Sequence, residues 1–387
     1  MVKNAYYLSW RYLQSAPWRT TVLVFCIAVA FALPSITFFS SSMIGNALRA
    51  RGTQTPILIG KKGNEFDLTM SSLYFRSSVR DKLNMQELES VSVLHSGLTV
   101  PLYVNHTASQ TPIVGTSVEY FTARNMQIDQ GREFALLGEV VAGSSVAEEF
   151  NLQIGDTIRS DLQNLYNIAG AYPMTLQVVG IASHTGTPDD QCFLADTKTI
   201  WALDGILHGH EKVTKDNSLN GQNSAENLEA TAAIFMFAEL TEQNRSEFHM
   251  HGEAKELPLS AVAVFPKSQE EHDIILGEFA LSEMLQAVRP VEIVDSILDI
   301  VLRVQQGLWV YFSTVLLSTI AFVGITLVLS LQLRAEELRL IKRIGGSAST
   351  IRSMVIAELS IVVGAALCVT AMVTTMALGV LQWWLGM

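Results

Sequence analysis

The chain has 387 residues, of which 49% are hydrophobic, a mean hydropathy of +0.29 and a formal net charge of −11. That hydrophobic share excludes an ordinary soluble protein, and the acidic balance excludes nucleic acid as a natural partner, since a phosphate binder needs a basic face. Three cysteines, with Cys26 and Cys368 inside apolar runs and Cys192 alone outside them, exclude a disulfide framework.

Residues 1–20 carry Lys3, Arg11 and Arg19 with no acid, and read as an amphipathic cytoplasmic helix whose Tyr7, Trp10 and Tyr12 suit a membrane interface. From Thr20 to Leu48 no Asp, Glu, Lys or Arg occurs, which exceeds the roughly 20 residues a helix needs to cross a bilayer. Ala28-Val29-Ala30 resembles a signal-peptide cleavage site, but the apolar run continues to Phe39, which suits an uncleaved span better. Pro34 is tolerable there, because membrane helices accept kinks. Residues 21–48 are assigned to transmembrane helix 1 and the start of a stalk, and "SSSMIGNALRARG" extends that helix to Gly52.

Residues 49–290 change pattern and read as an α+β domain outside the spans. Strand signals lie in "TPILIGKKGN", "HSGLTVPLYVN", "QTPIVGTS", "MTLQVVGIASHTG", "ATAAIFMFAEL" and "LPLSAVAVFP", with helical pieces in "NMQELESV" and "GSSVAEEFNL". Residues 208–230 are polar, rich in Asn, Gly and Ser, and lack an apolar period, so a mobile loop is expected.

Residues 291–333 read as one helix, stalk and then transmembrane helix 2. Val294, Ile297, Val301, Val304, Leu308 and Tyr311 recur at spacings of three and four, a seam suited to a helical partner, either the end of helix 1 or a second copy. The uncharged run from Val304 to Leu333 is about 45 Å long at 1.5 Å per residue, more than the ~30 Å hydrocarbon core, so the helix is expected to protrude. Residues 334–352 form a charged cytoplasmic segment and 353–387 transmembrane helix 3, uncharged from Leu359 onward. Gln305, Gln306 and Glu358, the polar residues near span ends, read as interface anchors.

The basic residues fix the expected orientation. Residues 1–20 sum to +3, and Leu331 to Arg352 holds five bases against two acids, also +3; removing both from −11 leaves −17 for the rest. The positive-inside rule places those two segments in the cytoplasm and the acidic domain outside.

The segment "RAEELRLIKRIGGSAST" reads as a helix, a Gly345-Gly346 interruption, and Ser347 as N-cap of the next helix. A bare connector at the headgroups needs only a few residues. Leu338, Ile341 and Ile344 instead supply an apolar stripe that could enter a protein groove.

At this point the chain resembles the FtsX-like ABC transporter permeases, the MacB and lipoprotein-release class. In "LRAEELRLIKRIGGSASTIRSMVIAELSIVVGAAL", Glu336, Glu337, Arg343, Gly346, Ser347 and Glu358 fill positions comparable to the family's motif, while Gly345 departs from it and Ala348 is shifted. In the domain, "ILIGKKGNEFDL", "TPIVGTSVEYF", "GEVVAGSSVAEEFNLQIGDTI" and "LQVVGIASHTGTPDD" resemble the MacB-type periplasmic core, in order and between the right spans. The resemblance implies an α-helical membrane protein with long stalk helices and a large periplasmic α+β domain of MacB-core type. It also implies a dimeric permease of the bacterial inner membrane, multi-pass with a cytoplasmic N-terminus. Glu336, Glu337, Leu338, Ile341, Arg343, Ile344, Gly345, Gly346 and Ser347 would dock a separate cytoplasmic ATPase, and the spans would carry its motion to the domain. Val294, Ile297, Val301, Val304 and Leu308 would form the stalk or dimer seam with a homologous or identical second permease.

No G-x-x-x-x-G-K-[ST] occurs, and "IGKKGN" lacks the spacing and hydroxyl of a phosphate-cradling loop. The chain is therefore expected to be no enzyme itself, with ATP and Mg held by the partner subunit. A periplasmic adaptor or lipoprotein and membrane lipid complete the expected partners. The family usually has a fourth span; three are found here, so a three-span variant or a shortened chain is expected.

Two His-x-His pairs, His208 with His210 and His249 with His251, flank the polar segment. Converging imidazoles would suit zinc, although exposed loops also tolerate histidine at chance spacings. Some similar permeases carry His-rich loops and are associated with zinc limitation, so the alternative expectation is a membrane-anchored zinc-binding or sensing protein. Asp189-Asp190 with His184 could make an acid/base pair, but "GTPDD" is explained by a turn with no chemistry.

Overall fold

A computed structural model describes residues 2–93, 95–162, 173–209, 240, 244–250, 253–343 and 347–385. The chain divides into two compact units, Met1–Asn46 with Ile297–Leu385, and Ala47–Ser296.

Helix α1 (Val2–Ser15) ends where Ala16 precedes Pro17. A residue before proline is pushed out of the helical region, whereas proline itself is pre-set for a first helical position, and Pro17 opens helix α2 (Pro17–Thr53). Pro34 lies inside α2 without ending it.

Strand β1 (Ile57–Lys61) leads to helix α3 (Glu65–Leu73), capped by the Asn64 side chain, which accepts from the Phe66 and Asp67 amides. Strand β2 (Leu83–Asn84) runs into helix α4 (Met85–Val93) through a reciprocal cap: the Asn84 amide donates to Glu87 and the Glu87 amide to Asn84, each at 2.9 Å. The hairpin of β3 (Leu98–Ala108) and β4 (Thr111–Thr116) precedes helix α5 (Glu119–Ala123). Strands β5 (Ile128–Gly131) and β6 (Glu139–Ala142), helix α6 (Ser144–Glu149), and strands β7 (Thr157–Arg159) and β8 (Thr175–Ala182) follow. After a 3-10 turn at Pro188–Gln191 come β9 (Phe193–Asp196), helix α7 (Thr197–Leu203) and the short β10 (Leu207–His208). The unit closes with β11 (His249–Met250), β12 (Pro258–Leu259), β13 (Ala261–Phe265), helix α8 (Gln269–Ala280) and β14 (Leu285–Val288).

Among the described residues, ten strands make one mixed sheet in the order β14-β1-β13-β3-β4-β9-β6-β8-β5, with β7 also on β8. The β4/β9 and β6/β8 pairs are parallel and the others antiparallel. The first four residues of β1 and all four of β6 are buried, so these strands are covered on both faces and read as continuous apolar runs. The core gathers Ile57, Ile59, Tyr103, Ile113, Val140, Leu176, Phe193, Val262 and Val264 from the sheet with Ile200 and Trp201 of α7 and Ile275 and Phe279 of α8. A Cβ on Gly115 of β4 would stand 2.5 Å from Ile200, so this glycine sets how closely α7 approaches the sheet. The strand readings over residues 55–64, 95–105, 110–117, 174–186 and 257–266 thus fall on real strands, and both helical pieces fall on α4 and α6. The strand read over residues 230–240 lies outside the described residues apart from Leu240, and so does the polar segment from 210 to 230.

Helix α9 (Pro290–Leu333) begins one residue after β14 ends. A single residue, Arg334, separates it from helix α10 (Ala335–Arg343), and helix α11 (Ala348–Leu385) is the last described element. Among the described residues, three helices are long and apolar enough to cross a membrane, over Pro17–Thr53, Pro290–Leu333 and Ala348–Gln382. In their unit, Leu23, Ile27 and Ala28 of α2 pack on Val362 and Ala366 of α11, with Leu13 of α1 alongside. Small residues at Ala28 and Ala366 permit a close approach, and the Thr370 hydroxyl donates to the Ala28 carbonyl at 3.2 Å. Ala5, Ser9 and Leu13 line the buried stripe of α1, with Ala5 against Met354 and Ala357 and the Ser9 hydroxyl donating to the Met354 carbonyl at 2.9 Å.

Candidate functional site

The segment expected from the sequence to dock an ATPase centres on α10. Glu336 and Glu337 occupy its first turn and Lys342 and Arg343 its last, each sign complementing the helix dipole. Leu338 is half-buried, while Glu336, Glu337, Arg339, Leu340, Lys342 and Arg343 are exposed. The Ile341 side chain and residues Ile344, Gly345 and Gly346 lie outside the described residues. Ser347 precedes α11, and its hydroxyl accepts from the Thr350 amide at 3.3 Å, the cap its position suggests.

Glu358 is not the interface anchor read from the sequence. It is buried, with Arg334 Nη1 at 3.4 Å from Oε2 and Arg19 Nη2 at 3.8 Å from Oε1. A lone carboxylate at the edge of an apolar helix needs a partner, and here it has two.

The seam drawn along α9 is divided in the structure. Val294 is buried and Ile297 half-buried, whereas Val301, Val304 and Leu308 are exposed. The residues that meet α2 lie on a neighbouring line. In the sheet-bearing unit Arg49 pairs with Asp295 at 2.7 Å, and a Cβ on Gly52 would stand 3.1 Å from the Val291 Cα. In the helical unit a Cβ on Gly45 would stand 3.2 Å from Leu298.

A site the sequence did not reveal lies at the end of α2. Arg51 is fully buried and makes a bidentate pair with Asp189, at 2.6 and 2.8 Å. Its Nε donates to the Leu73 carbonyl at 3.1 Å and its Nη2 to Tyr120 at 2.8 Å, while the Tyr120 hydroxyl donates to Asp189 at 2.5 Å. Arg124 Nη1 donates to the Gln54 carbonyl at 3.1 Å, and its guanidinium sits 5.4 Å from the Tyr120 ring. Burial alone would raise the Asp189 pKa; the charges of Arg51 and Arg124 and the hydrogen bonds of Arg51 and Tyr120 outweigh it and hold the carboxyl below its ordinary range. Burial pushes the Tyr120 phenol and the neighbouring Cys192 thiol up, so both stay neutral. Gly143 lets the 188–191 turn lie against the start of α6, since a Cβ there would be 2.3 Å from the Asp189 carbonyl oxygen. The turn read in "GTPDD" is present, but it is not chemically idle: it presents the counter-ion for the end of α2.

Asp190, the second acid of that turn, accepts from the Thr185 and Gly186 amides and lies 3.2 Å from His184 Nδ1. The Ser144 hydroxyl is also 3.2 Å from that same Nδ1. Nucleophile and acid therefore share one ring nitrogen, and a Ser-His-Asp relay needs both nitrogens. His208 and His249 are cross-strand partners on the β10/β11 ladder, their ring centroids 5.3 Å apart. His210 and His251 lie outside the described residues, among which no group of three His, Cys, Asp or Glu could hold a metal ion.

Residues 20–233, more than half of the chain, match the family model of the MacB-like periplasmic core domain. No curated protein sequence matches the chain. Among solved structures it is similar to the periplasmic region of MacB from Actinobacillus actinomycetemcomitans, at 12% identity over 65% of this chain and 95% of that one, with a TM-score of 0.35. It is also similar to the extracellular domain of the noncanonical ABC-type transporter YknZ from Gram-positive bacteria, at 10% identity over 60% and 98% of the two chains, with a TM-score of 0.32. With its three membrane-length helices and its mixed-sheet domain, the chain belongs to the MacB-like periplasmic core domain family and is an FtsX/MacB-like ABC transporter permease.

Proposed function

We propose that this permease subunit couples ATP hydrolysis by a separate cytoplasmic ABC ATPase to motion of its α+β domain on the opposite side of the bacterial inner membrane, for export or extraction of a substrate. The observation that carries this reading is the continuity of α9. One unbroken helix of 44 residues, about 66 Å at 1.5 Å per residue, starts one residue after an edge strand of the sheet and ends one residue before α10. An α-helix is stiff along its axis, so a displacement imposed at α10 has a direct route to the sheet. The charged ends and exposed surface of α10 suit docking to a protein groove, with Leu338, Ile341 and Ile344 as its apolar contacts. A second permease copy would lie along the exposed Val301, Val304 and Leu308.

The test is co-purification of the full-length chain with an ABC ATPase. Replacing Leu338, Ile341 and Ile344 by glutamate is expected to abolish the association while leaving the melting transition of the sheet-bearing unit unchanged. An ATPase that stays bound to the triple variant removes the docking surface.

The cross-strand placement of His208 and His249 favours a second reading, zinc binding by the domain, with His210 and His251 as further ligands. Zinc titration of the full-length protein in detergent, with His208→Ala and His249→Ala as controls, tests it. A calorimetric blank at neutral pH removes it.

A further inference from the structure

The cytoplasmic-end cluster around Glu358 joins more of the chain than a single ion pair would. Arg334, the one residue between α9 and α10, places its guanidinium 3.4 Å from the centre of the Tyr12 ring on α1, at stacking distance. Its Nη1 reaches Glu358 on α11 and its Nε reaches Glu337 on α10, at 3.4 and 3.5 Å. Arg19 on α2 reaches the other Glu358 oxygen, and its Nη1 donates to the Ser330 hydroxyl of α9 at 3.2 Å. Tyr12 closes the circuit, its hydroxyl 3.0 Å from that of Ser330. The side chains of Glu358 and Arg334 are only 8% and 13% exposed, so the contacts are shielded from the solvent that weakens surface pairs. Two arginines share one carboxylate, and neither guanidinium retains a second acidic neighbour from α11 if Glu358 loses its charge.

We propose that Glu358 is a positioning residue that latches the α9/α10 joint to α1, α2 and α11, so that a displacement of α10 reaches all the membrane-length helices at once instead of α9 alone. This rests on the reading that α10 receives an ATPase. Without Glu358, α1 and α2 would follow α9 only through the Tyr12 and Arg19 contacts with Ser330, the stacking of Arg334 on Tyr12 and non-directional apolar packing. The latch removes the freedom this leaves at the point where the force would enter.

The test uses the full-length chain with its native cysteines replaced. Spin labels at Tyr7→Cys on α1 and Leu340→Cys on α10, both exposed positions, report whether the joint is held. The distance distribution is expected to be narrow in the parent and at least twofold broader in Glu358→Gln and in Arg334→Gln, the double variant broadening no further than either single one. A width indifferent to Glu358 overturns the latch, whatever the ATPase does. A second label pair at Phe25→Cys on α2 and Val310→Cys on α9 reads transmission in the complex with the co-purified ATPase. Addition of ATP and vanadate is expected to shift that distance in the parent and to shift it at least fivefold less in Glu358→Gln, with the ATPase still bound. A full shift in Glu358→Gln overturns the transmitting role. A parental chain that holds no ATPase, with the Tyr7 to Leu340 width still set by Glu358, removes the ATPase reading and upholds the latch.

Discussion

Arg51 and Asp189 stand 138 residues apart and are both almost wholly buried, so their pairing governs a large share of local stability. Removing one partner leaves the other charge uncompensated in a low-dielectric site, which costs about 3–5 kcal/mol, whereas removing both leaves no orphan. Arg51→Met and Asp189→Asn are each expected to lower the domain's unfolding free energy by about that amount, and the double variant by less than their sum, read from denaturant unfolding of the full-length protein in detergent. The pair also sets an acid limit. A carboxyl whose folded pKa is depressed stabilises the fold fully above its unfolded value and loses that contribution as pH falls through the folded one. Asp189 is depressed. Glu139 is lowered from 4.5 to about 2: burial opposes the shift, and the Arg132 side chain and the Ala135 and Leu136 amides overcome it. Domain stability is therefore expected to hold from neutral pH down to about 4.5 and to fall between there and about 2. Arg51→Met should flatten that fall, and an unchanged pH profile in the variant would remove Asp189 from the account.

At the scale of elements, α9 is where sequence and structure agree and where the proposed function makes its sharpest demand. Its length was legible because an uncharged run from Val304 to Leu333 has no other comfortable environment, and Pro290 marks its start as proline marks many helix starts. The strands were legible where buried apolar runs end in glycine or proline, as in β1, β4 and β13, and α4 where Asn84 and Glu87 form their reciprocal cap. The seam was not fully legible. A period of three and four names a family of adjacent lines on a helix, and which line meets α2 is decided by Gly45, Arg49 and Gly52 on a helix far away in sequence. The anchoring and latch residues were invisible for the same reason. Each is an ordinary charge in its own neighbourhood, and only Glu358 carried a local signal, a carboxylate at the margin of an apolar run. If α9 is the transmitting rod, three glycines inserted after Arg303 should leave the ATPase bound and the domain melting as before, yet abolish nucleotide-driven change in the domain. A retained change would show that the route does not run through α9.

For the whole molecule, charge and hydropathy must agree on one topology, and this makes orientation testable independently of transport. The two basic segments at +3 each and the remainder at −17 would be placed on opposite sides of the membrane by the positive-inside rule. In chain order α2 separates α1 from β1 and α9 separates β14 from α10, so if both helices cross the membrane, α1 and α10 are expected on one side and the sheet-bearing residues on the other. Leu281, 88% exposed after α8, and Arg343, exposed at the end of α10, are suited reporters. In intact cells lacking the native cysteines of this chain, Leu281→Cys is expected to react with a membrane-impermeant maleimide once the outer membrane is permeabilised, and Arg343→Cys only after lysis. Changing Lys3, Arg11 and Arg19 to glutamine together weakens the charge bias at the first helix, so a fraction of chains should invert and label at Arg343→Cys from outside. Equal labelling of both sites in intact cells would contradict the membrane topology. An unaltered pattern in the glutamine variant would assign orientation to the basic run around α10 instead, where Arg334, Arg339, Lys342 and Arg352 remain in place.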